Sequence, residues 1–373
     1  MLPRAVPLLA GGPIAAWAIE GGARTPAAGE SFGPGRFGWS YSFRGSDLDS
    51  SMSALSETVR SIIDSVSQVI VGKRPQIERV AIAMLCGGHV LIDDVPGTGK
   101  TMLARSFAAS IGVGFRRLQC TPDLLPNDVT GVRVFDPRSG EFRFEPGPIF
   151  TNILLADEIN RATPRTQAAL LEAMAEGQVT VDGDTRQLPE PFLVLATQNP
   201  VEFEGTFPLP EAQLDRFMIS LSLGYPTPDE EQSLLSKIGL DHPVNRVKPV
   251  AQFDAQVQAD PGESWIDLAR TAASTHLDDS VEAYIVAITG ATRSHQAIDL
   301  GASPRATIAL AAAARALAAV RGRDYVLPDD VKELAAPVIA HRLVLSPEGR
   351  LRGIRSSQVV ADILSVVPIG AGP

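Results

Sequence analysis

The stretch His89-Val90-Leu91-Ile92-Asp93-Asp94-Val95-Pro96-Gly97-Thr98-Gly99-Lys100-Thr101 constrains this chain more than any other. A short apolar run ends in a loop holding one proline and two glycines. Lys100-Thr101 follows, then a helical pattern in which Leu103, Phe107 and Ile111 recur every fourth residue, with Gly112 as a stop. Strand, glycine loop and helix start aim backbone N–H groups and the positive end of a helix dipole at one point, which attracts an anion. Lys100 can reach the β- and γ-phosphates of a nucleotide, and Thr101 can hold Mg²⁺ through its hydroxyl. The expected cradle is therefore Val95, Pro96, Gly97, Thr98, Gly99, Lys100, Thr101 and Met102. The spacing G-x-x-x-x-G-K-[ST] would put a glycine at Asp94, so the strict pattern fails there. An ordinary turn would leave Lys100 unexplained. A cation in a first helical turn opposes the dipole by roughly 0.3–1 kcal/mol unless an anion sits there.

A second stretch, Asn152-Ile153-Leu154-Leu155-Ala156-Asp157-Glu158, reads as a buried parallel strand ending in two acids. An acid at the carboxyl end of a strand beside such a loop is placed to support Mg²⁺, which makes Asp157 the candidate; Glu158 is the candidate to orient the attacking water. Alone, an Asp-Glu pair would read as a solvated turn. Another apolar run, Phe192–Thr197, ends in Gln198-Asn199-Pro200, which brings the amide of Asn199 to the same edge. Asn before Pro is also common in plain turns.

Ala54 begins a helical pattern that runs to Ile70, and Val71-Gly72-Lys73 turns into a second helix with Ile77, Val80, Ala81 and Met84 inward. The turn at Val71 and Gly72 is a candidate to pack against the nucleotide base, and a plain helix–helix turn reads the same way. Phe115–Gln119 is a short strand. Gly131–Phe135 and Glu141–Phe144 alternate around a five-residue turn, and Gln178–Leu188 carries a second hairpin signal at Asp182-Gly183. Thr163-Pro164 starts a helix that stops at Gly177. Leu209–Phe217 leads into a strand at Met218–Leu223, with Arg216 at the helix end. Gly224-Tyr225-Pro226-Thr227-Pro228 reads as a domain boundary. Beyond it the pattern is almost all helical, and Ser303-Pro304-Arg305 opens an Ala-rich helix through Val320. Arg305 repeats the electrostatic conflict of Lys100, a cation in a first turn, which a bound phosphate would resolve.

The 373 residues leave room for about two domains. A net charge of −10 argues against a general nucleic-acid surface. Two cysteines, Cys86 and Cys120, and five scattered histidines have no metal-ligand spacing. The Gly-, Pro- and Ser-rich residues 1–51 are expected to be a disordered extension, or to precede a start at Met52. The apolar segment after Arg4 is broken by Gly11, Gly12 and Pro13, so the expected location is the cytoplasm, with no membrane span.

In this order the motifs resemble those of AAA+ ATPases, and specifically of the MoxR family. The resemblance rests on Asp93–Thr101, Asp157-Glu158-Ile159-Asn160-Arg161-Ala162, Ala196–Pro200, Leu209–Phe217 and Ser303-Pro304-Arg305. It runs from about Val69 to the C-terminus. It implies an α/β fold: a P-loop domain (52–226) with a parallel sheet of strand order 5-1-4-3-2, then a small all-helical lid (227–373). It implies that Lys100 and Thr101 are the Walker A pair, Asp157 and Glu158 Walker B, Asn199 sensor 1, Arg216 an arginine finger and Arg305 sensor 2. It makes an acid at position 94 familiar. It implies ATP and Mg²⁺ as ligands, a homo-oligomeric ring, usually a hexamer, and chaperone-like maturation of protein complexes, including metal or cofactor insertion. Partners carrying a von Willebrand factor A domain are expected, and the client stays open. The alternatives are a nucleic-acid motor or the ATPase subunit of a metal chelatase, both of the related branch with an inserted hairpin. A nucleotide-bound scaffold without turnover would have no use for Glu158 and Arg216.

Overall fold

The apolar run of the opening stretch forms the strand β1 (Val90–Asp93), and the periodic run after Lys100 forms a helix that stops at left-handed Gly112. The structure, a computed structural model, describes residues 45–199, 205–237, 244, 247–250 and 260–370. The expected disordered extension lies outside those residues, except that helix α1 (Gly45–Ser67) takes in its last few.

Helix α2 (Arg74–Leu85) leads into β1, and α3 (Lys100–Ile111) into β2 (Phe115–Gln119). The short α4 (Pro126–Thr130) precedes the hairpin β3 (Gly131–Asp136) and β4 (Glu141–Pro146). Next come β5 (Ile153–Asp157), α5 (Pro164–Glu176), and the hairpin β6 (Gln178–Val181) and β7 (Asp184–Gln187). Its turn residues Asp182 and Gly183 both have positive φ, as a two-residue hairpin loop requires. Strand β8 (Leu193–Gln198), α6 (Glu211–Leu214) and β9 (Ile219–Leu221) complete this part.

Five strands form one parallel sheet of order β2-β5-β8-β1-β9. Counted by strands of this sheet alone, that is the expected 5-1-4-3-2 order read from the other edge. The central strands are covered on both faces, and alternate residues go to opposite cores. Ile92, Leu155 and Leu195 face one core with α1, α2 and α3; Leu91, Leu154 and Val194 face the other with α5.

The C-terminal part holds α7 (Pro228–Lys237), α8 (Pro261–Ala273), α9 (Asp279–Thr292), α10 (Pro304–Val320) and α11 (Pro328–Ile339). A short ladder of β10 (Ile298–Leu300) and β11 (Val344–Leu345) lies among these helices, followed by α12 (Pro347–Leu351) and α13 (Ser356–Val366). Alanines let α10 lie deep in this part, against α1, α8 and α11. Helix α11 ends before His341, two residues after Pro337, which removes a backbone donor, and residues 340–342 form a 3-10 turn. The first core continues without a break into this part, through Trp265, Tyr284 and Leu317. No helix among the described residues is long and apolar enough to cross a membrane.

Candidate functional site

The loop between β1 and α3 turns on Gly97 (φ 85°) and Gly99 (φ 90°), both left-handed. Gly99 occupies the N-cap of α3 with no side chain to cap it, and no acid stands in the first turn. The first N–H groups of α3 are thus left for an external acceptor, the arrangement that binds phosphate. Lys100 folds back on the loop, where its Nζ donates to the carbonyls of Val95 (2.7 Å) and Asp94 (3.1 Å). Thr101 stands next to it, half-buried.

Asp94 has a structural task. Its buried carboxylate accepts the backbone N–H of Val95 on one oxygen, and those of Leu223 (2.8 Å) and Gly224 (2.9 Å) on the other. The foot of the P-loop is thereby fastened to the end of β9, where the chain leaves for the helical part. The turn at Val71 and Gly72 lies close by: Ile70 Cδ1 would touch a Cβ placed on Gly99. Lys73 donates to the Tyr225 carbonyl (3.1 Å) and pairs with Glu230 (3.4 Å) in the first turn of α7. Gly72 suits this turn because its φ of 76° lies in the left-handed region that favours glycine.

Parallel strands bring the other candidates to the same edge as the P-loop. Asp157 ends β5 beside Gln119 of β2, and Asn199 follows β8, whose Gln198 pairs with Asp93. Glu158 adopts left-handed backbone (φ 57°), an uncommon state for a residue with a Cβ. Strained backbone of this kind concentrates at working sites. Thr197 braces this conformation: its hydroxyl donates to Asp157 Oδ1 (2.7 Å) and accepts the N–H of Glu158 (2.9 Å). Arg117 covers the other Asp157 oxygen and donates to Gln119 Oε1 (2.7 Å). Gln119 (3.3 Å) and Arg161 (3.2 Å) both reach Glu158 Oε2. Burial pushes the nearby Cys120 thiol up to about 12, with Asp157 and Glu158 adding to the effect, so it stays protonated.

Arg216 and Arg305 stand apart from this cluster and, among the described residues, form no ion pair with it. Arg216 follows α6 and is half-buried; Arg305 is exposed in the first turn of α10. They are linked to each other through Asp215, whose carboxylate takes a hydrogen bond from Ser303 and an ion pair from Arg342. No cluster of metal-ligating side chains occurs among the described residues. His89 is structural, bonded to Met174 and Val194 across the sheet.

The sequence alone did not single out Thr197, Arg117, Gln119 or Arg161. Two signals for them exist. Thr197 is the one polar residue within the buried run 193–197, and Arg117 and Gln119 are two apart on one strand, so they share a face.

Residues 89–219 match the family of ATPases associated with various cellular activities (AAA), and residues 290–363 match the AAA lid domain. The chain is 40% identical over 321 residues to the chaperone MoxR1 of Mycobacterium tuberculosis, which covers 84% of this chain and 82% of that one. It belongs to the MoxR family of AAA+ ATPases. It is also 50% identical over 307 residues to the uncharacterised protein YeaC of Bacillus subtilis (82% of this chain, 93% of YeaC). The crystal structure of a candidate ATPase from Cytophaga hutchinsonii superposes with a TM-score of 0.79 at 36% identity, covering 87% of this chain and 99% of that one. The family is one of nucleotide-binding, ATP-hydrolysing proteins, and the sheet order, the P-loop and the helical part agree with it.

Proposed function

We propose that this protein is a Mg²⁺-dependent ATP phosphohydrolase that works in the cytoplasm as a homo-oligomeric ring of six subunits and remodels or matures partner protein complexes. The observation that carries the catalytic part is the Thr197 hydroxyl, which fixes Asp157 and Glu158 together at the P-loop edge.

The residues present suit a nucleotide and its metal. Gly97 and Gly99 open the loop, the start of α3 is uncapped, and Lys100 is held beside it by carbonyls it can leave. Thr101 and Asp157 supply oxygen donors of the kind Mg²⁺ prefers, the carboxylate acting through bound water. Mg²⁺ would neutralise phosphate charge. Val71 and Gly72, with Val95 to Met102, would line the nucleotide. Glu158 would orient and polarise the attacking water, and Lys100 would hold the phosphates in line. Asn199 would hydrogen-bond the γ-phosphate or the water, and Arg305 would reach the phosphates from the lid. Arg216 would act on the neighbouring subunit's nucleotide, as arginine fingers do. In this reading 52–226 is the nucleotide-binding domain and 227–373 a lid that moves with the nucleotide state.

The relative MoxR1 is named a chaperone, which supports a protein client. The β3–β4 hairpin supports it too: Arg133, Arg138 and Arg143 are balanced by Asp136, Glu141 and Glu145, so the hairpin lacks the basic bias of a nucleic-acid motor. Metal or cofactor insertion, assisted by a von Willebrand factor A domain partner, is the task we assign. The test is Glu158→Gln: it should bind ATP as tightly as the wild type and stop turning it over, and rapid hydrolysis by that variant would remove Glu158 from the role.

A further inference from the structure

Ser303 precedes Pro304 at the start of α10, where a serine hydroxyl ordinarily caps its own helix. Here it makes no cap. Its Oγ stands 3.0 Å from each carboxylate oxygen of Asp215, 88 residues away. Asp215 is covalently joined to Arg216, and Ser303 is two residues from Arg305. One hydroxyl therefore connects the arginine proposed for a subunit's own nucleotide pocket with the arginine proposed for the neighbouring subunit's.

The rest of the junction is closely bonded. Arg342 is buried, pairs with Asp215 through Nε (3.1 Å), and donates to the carbonyls of Val338 (2.6 Å) and Phe217 (2.8 Å). His341 Nε2 stands 2.9 Å from the same Phe217 carbonyl. These contacts fasten the chain on the far side of Arg216 to the end of α11. Asp215 is thus held from one side by a fixed, buried guanidinium and from the other by a single hydroxyl on α10. The fixed side sets a pivot, and the hydroxyl is the part that can follow a movement of α10.

We infer that Ser303 and Asp215 are positioning residues that couple the two arginines: when Arg305 engages the nucleotide of its own subunit, α10 carries Ser303, and Asp215 turns Arg216 toward or away from the next subunit. This rests on the proposed roles of Arg216 and Arg305. It makes the nucleotide state of one subunit a control on hydrolysis in its neighbour, with the signal passing inside one chain. Couplings of this kind between sites change an affinity by about 5- to 150-fold.

The experiment uses the full chain as assembled, with Ser303→Ala, Ser303→Thr and Arg216→Ala beside the wild type. Equilibrium binding of a slowly hydrolysed ATP analogue and steady-state ATP turnover are measured for each. Ser303→Ala should bind the analogue as the wild type does, while its kcat falls by about 10- to 100-fold, the scale of loss when a catalytic group is misplaced by about 1 Å. Ser303→Thr, which keeps the hydroxyl, should restore kcat. The unchanged affinity shows that the fold and pocket are intact, and the hydroxyl rescue is a result that loss of packing would not give. Wild-type kcat in Ser303→Ala, with Arg216→Ala inactive, would overturn the coupling and leave the finger reading standing. Wild-type turnover in Arg216→Ala would overturn the finger reading and the coupling with it.

Discussion

Asp94 Oδ2 accepts the backbone N–H of Gly224 at 2.9 Å, which joins the P-loop to the exit of the sheet. The same oxygen holds Leu223, a buried residue. Replacing Asp94 by the glycine of the common motif therefore removes the acceptor for three backbone donors, those of Val95, Leu223 and Gly224. An unpaired buried donor costs about 1–3 kcal/mol. Asp94→Gly should lower the melting temperature by several degrees and weaken nucleotide binding, although it restores the strict motif. Thermal unfolding with and without nucleotide checks this; a variant as stable as the wild type would show that the acid is incidental.

Thr197 serves Asp157 and Glu158 with one hydroxyl. Valine at 197 keeps the shape and removes that hydroxyl. Groups that orient catalytic or metal-binding side chains are typically worth about 10- to 100-fold in activity. Thr197→Val should lose kcat in that range, and Thr197→Ser should keep most of it. Steady-state ATP turnover of both variants decides; equal loss in the two would mean that packing, and not the hydroxyl, matters.

Burial pushes the His341 imidazole from its ordinary 6.5 down to about 3, and the neighbouring Arg342 adds to the shift. Between those values the unfolded chain takes up a proton that the folded ring refuses. Stability from this group is therefore unaffected above pH 6.5 and is lost as pH falls toward 3, at about 1.4 kcal/mol per pH unit. His341→Gln removes that titration. Denaturant midpoints at pH 7 and pH 5 should fall less in His341→Gln than in the wild type; equal falls would contradict the assignment.

The sheet and its edge of polar residues were legible because the strands carry long apolar runs that end in acids or amides, as at Ile153–Asp157 and Leu193–Gln198. The helix starts at Lys100, Pro164 and Pro304 were legible from Gly, Pro and periodicity. The supporting contacts were not. Arg117 meets Asp157 across 40 residues, and Asp94 meets Gly224 across 130. Such pairs depend on strand register and on how the chain returns to the sheet, which a local pattern does not carry. Ser303 is a related case: it stands just before α10, and only the folded chain shows its hydroxyl on Asp215.

The proposed function requires that one active site draw Glu158 from one subunit and Arg216 from the next. Mixing Glu158→Gln with Arg216→Ala tests it most directly, because each variant keeps what the other lacks. Each should be inactive alone. In a random equal mixture roughly a quarter of head-to-tail interfaces would pair an intact Glu158 with an intact Arg216. Recovery of ATP turnover on mixing is the predicted result; a mixture as inactive as its components, or full turnover by Arg216→Ala alone, would contradict it.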